Sequence, residues 1–179
     1  MCPIRKFDRA AMRTKILMIA GLLFSGTILT AADQPNFSGT YTLDHGKSEF
    51  LSSKEDSRPA KADEIITLSV VQDTEKLEIT RSENGRKTSS IFSMKSGVGV
   101  YSLRSGDSGN SKVQFKGKRL LLEAEVMMQP LQSGPRVPFL ITERWELSPD
   151  SKTLTIHNEM VLKGGGIPGI SSSYTYSRN

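Results

Sequence analysis

The chain has 179 residues, of which 36% are hydrophobic, so it is long and apolar enough for one domain with its own core. Its single cysteine, Cys2, excludes a fold held by internal disulfides. The formal net charge of +5 would favour nucleic acid as a partner, but much of that charge lies near the N-terminus.

Residues 1–32 have the layout of a secretory signal peptide. An apolar stretch, Ile16–Leu29, is followed by small residues at 30–32, and we place cleavage after Ala32. An uncleaved membrane anchor is the alternative that we favour less, because the apolar stretch is short for a bilayer. A start at Met12 would give a more compact signal peptide. The basic residues before the apolar stretch are Arg5, Lys6, Arg9, Arg13 and Lys15.

Removal of this leader changes the charge of the protein. The leader takes five of the 24 basic residues and one of the 19 acidic residues, so the remaining chain, 33–179, would carry a net charge of +1. That balance gives no reason to expect binding to nucleic acid. We predict an exported protein, periplasmic or extracellular, with no membrane span once the leader is removed.

The chain after residue 33 has the period-2 alternation of β-strands almost throughout. The first strand runs from Phe37 to Leu43, and a polar stretch, 44–64, predicts a long loop or a short helix. Asn84-Gly85 is a strong signal for a tight hairpin turn. The other predicted strands are Ile65–Val71, Leu77–Arg81, Lys87–Lys95, Val98–Leu103, Lys112–Lys116, Arg119–Met128, Pro138–Leu147, Lys152–Leu162 and Ile170–Ser177.

This series of strands joined by short links predicts a single all-β domain over 33–179. Closure into a barrel removes exposed strand edges, so we expect an antiparallel meander closed into a barrel of roughly eight to ten strands. A two-sheet β-sandwich is the alternative.

The segment Phe37–Leu43, which reads FSGTYTL, resembles the opening strand of the lipocalin and fatty-acid-binding barrels, with Tyr41 in place of their frequent Trp. The segments Gly39–Phe50 and Arg144–Ile156 are also similar to small exported bacterial proteins of unassigned function with a lipocalin-like barrel. The resemblance implies a lipocalin-like barrel and a small hydrophobic ligand. Fatty-acid-binding proteins commonly hold the ligand carboxylate with an Arg-x-Tyr pair near the C-terminus, and the end of this chain, 174–178, lacks that pair.

One face of each strand would line the barrel interior, and two charged residues share that face. Arg81 follows two apolar inward positions, and Glu143 lies between two others. A charge inside a barrel would be paired or would meet a polar group of a ligand. We favour the plainer interpretation for each, in which Arg81 lies at a strand end in water and Glu143 marks a change of register. The predicted lining is Tyr41, Leu43, Leu77, Ile79, Phe115, Leu120, Leu122, Val126, Ile141, Trp145, Ile156 and Tyr174.

From these positions we select six candidate ligand-binding residues. They are Tyr41, Arg81, Phe115, Glu143, Trp145 and Tyr174.

The motifs do not predict an enzyme. The tetrapeptide 106–109, with Ser108, matches the segment around the nucleophile of trypsin-like proteases, but those need a His base and an Asp on a larger double barrel. His157 and Glu159 share a strand face, which is fewer than the three or four ligands of a metal site. We therefore predict no catalytic residue, no metal site and no cofactor.

Two functions remain, and a third is remote. The first is a non-enzymatic exported barrel that binds a small apolar or amphipathic ligand in its interior. The second is an exported structural or interaction module whose barrel is filled by side chains and whose loops, 44–64 and 129–138, contact a protein partner that the sequence does not identify. The third is an enzyme that uses His45 or His157.

Overall fold

The computed structural model describes residues 34–51, 65–129, 134–165 and 169–179. The predicted leader and its cleavage site lie outside the described residues, as does the part of the predicted polar stretch from 52 to 64. The predicted boundary between leader and domain therefore stays a prediction.

The described chain consists of β-strands joined by turns. The strands are β1 (Gly39–Leu43), β2 (Glu49–Leu51), β3 (Ile66–Gln72), β4 (Lys76–Glu83), β5 (Arg86–Ser93), β6 (Val98–Ser102), β7 (Ser108–Lys116), β8 (Arg119–Met128), β9 (Val137–Leu147), β10 (Thr153–Leu162) and β11 (Ile170–Arg178).

These strands form a closed antiparallel barrel. From β3 to β11, each strand pairs with the next along the chain, β1 pairs with β3, and β1 also pairs with β11 to close the ring. The closing register places Tyr41 opposite Arg178 and Leu43 opposite Tyr176. The prediction of an all-β meander closed into a barrel is confirmed, and the two-sheet sandwich is wrong.

The short strand β2 is a departure from the sequence prediction. Residues 49–51 were expected in a loop or helix, but Glu49 pairs with Ser173 and Leu51 with Ser171. β2 therefore continues the β1 ladder along β11, after a turn in which the Asp44 side chain accepts a hydrogen bond from the Gly46 backbone N–H at 3.1 Å.

Period-2 alternation determines which side chains enter the barrel. In β8, Leu120, Leu122, Ala124 and Val126 are buried, while the residues between them are more exposed. β7 and β9 alternate in the same way, and the inward face of the sheet carries the apolar core. The twelve predicted lining residues all belong to this core or pack against it.

The predicted Asn84-Gly85 turn joins β4 to β5. Both residues have positive φ, 51° and 78° respectively, as a two-residue type I′ hairpin requires. This turn lies at the end of the barrel where the candidate site is found.

Candidate ligand-binding cavity

One end of the barrel interior is filled by aromatic side chains. The Phe37 ring lies 6.0 Å from the Trp145 ring, edge to face, and 6.3 Å from the Phe115 ring. The Tyr41 hydroxyl donates a hydrogen bond to the Phe37 carbonyl at 2.8 Å, and the Arg178 guanidinium lies 5.3 Å from the Tyr41 ring centre. This end is closed by the chain's own side chains.

The other end holds a cavity of about 280 Å³. Its apolar lining includes Leu43, Ile66, Leu103 and Ile156, which come from β1, β3, the loop after β6, and β10. The cavity lies beside the β4–β5 hairpin, which contributes residues from both of its strands, and beside the start of the loop after β6. A mixed apolar and polar wall of this kind suits an amphipathic molecule.

The floor of the cavity carries an ion pair between β4 and β9. Arg81 Nη2 lies 2.9 Å from Oε1 and 2.7 Å from Oε2 of Glu143. Glu143 is only 2% exposed, whereas the Arg81 side chain is 24% exposed. β9 keeps its alternation through Ile141, Glu143 and Trp145. The interpretation that we favoured from sequence is therefore wrong for both residues, because Arg81 points into the barrel and Glu143 stays in register.

Two further donors complete the surroundings of Glu143. The Tyr101 hydroxyl donates to Oε1 at 2.6 Å, and Trp145 Nε1 donates to Oε2 at 2.9 Å. Both carboxylate oxygens therefore accept hydrogen bonds and neither donates one, which is the pattern of an ionised carboxylate. The Arg81 guanidinium also lies 5.3 Å from the Tyr101 ring centre and 6.0 Å from that of Trp145, within cation–π range.

The pKa directions agree with a coupled charged pair. Burial is the largest single effect and opposes the charged form of Arg81, but the charge of Glu143, together with those of Tyr101, Tyr176 and Tyr174, outweighs it and raises the pKa of Arg81 above its ordinary value. Burial, and then the charge of Glu143, raise the pKa of Tyr101 well above its ordinary value. Tyr101 therefore keeps its proton and remains a donor to Glu143.

The rim of the cavity is charged and exposed. Arg104 forms an ion pair with Glu83 there, and its side chain is 52% exposed. Arg86 also contributes to the rim and is exposed. The cavity therefore has a buried charge pair at its floor, an apolar wall above it and solvated charges at its entrance.

The six candidate residues from the sequence fall in different parts of the interior. Arg81, Glu143 and Tyr174 line the cavity. Trp145 is fully buried and supports the floor through its bond to Glu143. Tyr41 packs at the filled end, as does the sixth residue, Phe115, whose ring contacts Phe37. Whether any of them binds a ligand stays a prediction.

Sequence reasoning missed Tyr101 and Tyr176, both of which line the cavity. Tyr176 lies two residues after Tyr174, so period-2 alternation was a signal that could have found it. Tyr101 had no such signal, because β6 points Val98 and Val100 outward and buries the face that carries Gly99 and Tyr101.

Three residues that were considered above for catalysis or metal binding lie on the outside of the barrel. Ser108 is exposed and is the first residue of β7, and His157 and Glu159 are exposed on β10. Among the described residues, no group of three or more His, Cys, Asp or Glu side chains is arranged to hold a metal ion. The described part of the chain also contains no helix that is long and apolar enough to cross a membrane.

The closed antiparallel barrel with aromatic packing at one end and a cavity at the other has a lipocalin-like, calycin-type fold. The sequence matches no family model and no curated protein. Solved structures of the fatty-acid-binding type have the same fold.

Three such structures align over most of their own length. Zebrafish ileal bile acid-binding protein, in complex with cholic acid, gives a TM-score of 0.52 at 14% identity, over 80% of this chain and 98% of that one. Lipid binding protein 8 of Caenorhabditis elegans gives a TM-score of 0.51 at 14% identity, over 80% of this chain and 95% of that one. The Schistosoma mansoni fatty acid binding protein, in complex with arachidonic acid, gives a TM-score of 0.50 at 14% identity, over 80% of this chain and 96% of that one. At this identity the likeness establishes the fold alone.

Proposed function

We propose that the protein is an exported, non-enzymatic barrel that binds one small amphipathic molecule in its end cavity. The observation that carries this proposal is the cavity of about 280 Å³ whose apolar wall stands over the Arg81–Glu143 pair. The names of the three aligned barrels, which are bile acid, lipid and fatty acid binders, support a small hydrophobic ligand.

The volume of the cavity limits the size of this ligand. At about 280 Å³, it lies at the lower end of the range for small-molecule sites, which is roughly 300–1,000 Å³. A longer molecule would have to extend past the rim, because Phe37, Phe115 and Trp145 occupy the opposite end. A compact amphiphile fits this cavity better than a long-chain one.

Native mass spectrometry of the protein purified from the envelope fraction of its own host tests ligand binding and export together. We expect a chain that begins at residue 33 and carries a small non-covalent adduct, lost on delipidation and regained when host extract is added. A protein that takes up nothing from extract contradicts ligand binding. A chain that still carries residues 1–32 contradicts cleavage of the leader.

Adjacent residues of β5 provide matched variants, because they lie on opposite faces of the sheet. Thr88 lines the cavity, whereas Ser89 is exposed on the outside. Thr88→Phe should fill the entrance and reduce adduct uptake by about tenfold or more, because the bulkier ring occupies ligand volume. Ser89→Phe should leave uptake unchanged. Equal uptake by the two variants would show that the adduct lies elsewhere.

An apolar patch on the outer surface favours the alternative function of an interaction module. Ile91 and Val100 face each other across β5 and β6, each 52% exposed, and Val98 follows at 50%. Exposed apolar clusters mark contact surfaces. If native mass spectrometry finds neither an adduct nor uptake, this patch is the next place to look for a protein partner.

A further inference from the structure

Resting on the proposed function, we propose that the cavity selects an amphiphile with an uncharged polar head, such as a hydroxyl, over the corresponding carboxylate. The feature that decides this selection is Glu143, which forms an ion pair with the one partly buried arginine among the described cavity-lining residues.

The charges at the cavity floor are already balanced. Arg81 contacts both oxygens of Glu143, at 2.9 and 2.7 Å, so its charge is already compensated. Tyr101 and Trp145 donate the other two hydrogen bonds to the same carboxylate. The floor therefore presents a neutral, internally hydrogen-bonded cluster.

A ligand carboxylate would add a second negative charge to this floor. An anionic head at the floor would lie beside Glu143, which is 2% exposed and poorly screened by water. Two carboxylates in one buried site disfavour each other strongly, because little water screens the repulsion between their charges. A ligand acid that bound the other N–H groups of Arg81 would share its charge with Glu143 and would lie close to that carboxylate.

The cavity wall carries uncharged hydrogen-bonding groups that suit an uncharged head. Asn158, Tyr174 and Tyr176 line the cavity together with Arg81. An amide and phenolic hydroxyls can both donate and accept hydrogen bonds, so they suit a hydroxyl or carbonyl without a net charge. Burial raises the pKa of Tyr176, which keeps its hydroxyl protonated.

The rim does not change this preference. Arg104 is compensated by Glu83, and Arg86 is exposed to solvent. Charges in such a setting interact weakly because water and salt screen them. A carboxylate held at the rim would gain little compared with a hydroxyl bound inside.

Isothermal calorimetry of the delipidated, folded protein with 1-nonanol and octanoate tests the inference, because these probes have equal numbers of non-hydrogen atoms. We expect nonanol to bind at least about tenfold more tightly. Octanoate binding as tight as nonanol, or tighter, would overturn the inference and leave the proposed function standing. Binding of neither probe, together with no uptake from extract, would overturn both.

A charge-removing variant tests the role of Glu143 directly. Glu143→Gln keeps the size of the side chain and leaves Arg81 uncompensated, so octanoate affinity should rise about tenfold while nonanol affinity changes little. Glu83→Gln, the same substitution at the exposed rim, should change octanoate affinity less than about threefold. A folded Glu143→Gln protein with no gain in octanoate affinity contradicts the role of Glu143 in selection. If this variant does not fold, the comparison of nonanol and octanoate binding to the wild-type protein decides.

Discussion

At the scale of single residues, the ion pair between Arg81 and Glu143 should matter more to stability than any surface pair. Arg81→Met leaves the Glu143 carboxylate buried with Tyr101 and Trp145 as its remaining donors. We expect a loss of about 3 kcal/mol in the free energy of unfolding, at the lower end for a buried pair because Arg81 is partly exposed. Urea denaturation followed by circular dichroism measures this loss.

Arg119→Met is the matched control for this prediction. Arg119 pairs with Glu146 at 2.8 Å, but its side chain is 59% exposed, so the same substitution should cost less than about 1 kcal/mol. The double variant Arg81→Met with Glu143→Gln should recover much of the lost stability, because no uncompensated charge remains. Equal losses for Arg81→Met and Arg119→Met would contradict a special role for the buried pair.

At the scale of elements, substitution by alanine should destabilise the protein to different extents at two glycines. Gly85 has a φ of 78° and open space around its missing Cβ, so Gly85→Ala should cost only the conformational strain, about 1 kcal/mol. A Cβ on Gly109 would instead overlap the backbone carbonyl oxygen of Glu125 on β8. Gly109→Ala should therefore cost about 3 kcal/mol, through a displaced strand.

Thermal unfolding of the two glycine variants gives the comparison. A lower melting temperature for Gly85→Ala than for Gly109→Ala would mean that the hairpin turn, rather than the close approach of β7 and β8, limits stability. Gly117 has a φ of 60° and the same open surroundings as Gly85, so Gly117→Ala should behave like Gly85→Ala.

Sequence reasoning could predict the strands and their closure because alternation and turn residues are local signals. The Asn84-Gly85 hairpin and the inward face of β8 are examples, since each is readable within about ten residues. The Arg81–Glu143 pair was not readable in this way, because 62 positions separate its members and only barrel closure brings them together. Tyr101 was missed for a different reason, since the valines of β6 lie on the outer surface and its inward face carries Gly99 and Tyr101.

At the scale of the whole molecule, the interior is divided between a packed end and a hollow end. The packed end contains Phe37 and Trp145, both fully buried, and it supplies apolar burial that stabilises the barrel without a ligand. The hollow end is bordered by Arg81 and Glu143, where polar groups limit such burial. We infer that stability comes chiefly from the first end and selectivity from the second.

Three buried tyrosines make the stability of the whole barrel depend on pH in the alkaline range. Burial raises the pKa of Tyr41 more than Arg178 lowers it, and burial also raises the pKa values of Tyr101 and Tyr176. In the unfolded chain, these groups titrate near their ordinary value of about 10. Each raised pKa therefore contributes stability that is fully present below about pH 10 and is lost as the pH rises through the folded-state value.

Above pH 10, the unfolded chain releases protons that the native barrel retains, so the free energy of unfolding should fall. The slope approaches about 1.4 kcal/mol per pH unit for each tyrosine, or roughly 4 kcal/mol for the three together. Tyrosinate absorbance should thus appear mainly with the loss of β-structure. Tyr176→Phe should reduce the slope of the free energy of unfolding against pH by the contribution of one tyrosine, and it leaves the donors to Glu143 in place. If these tyrosines ionise near pH 10 while the circular dichroism spectrum stays native, they are open to water, and the interior is hollow well beyond the cavity beside Arg81.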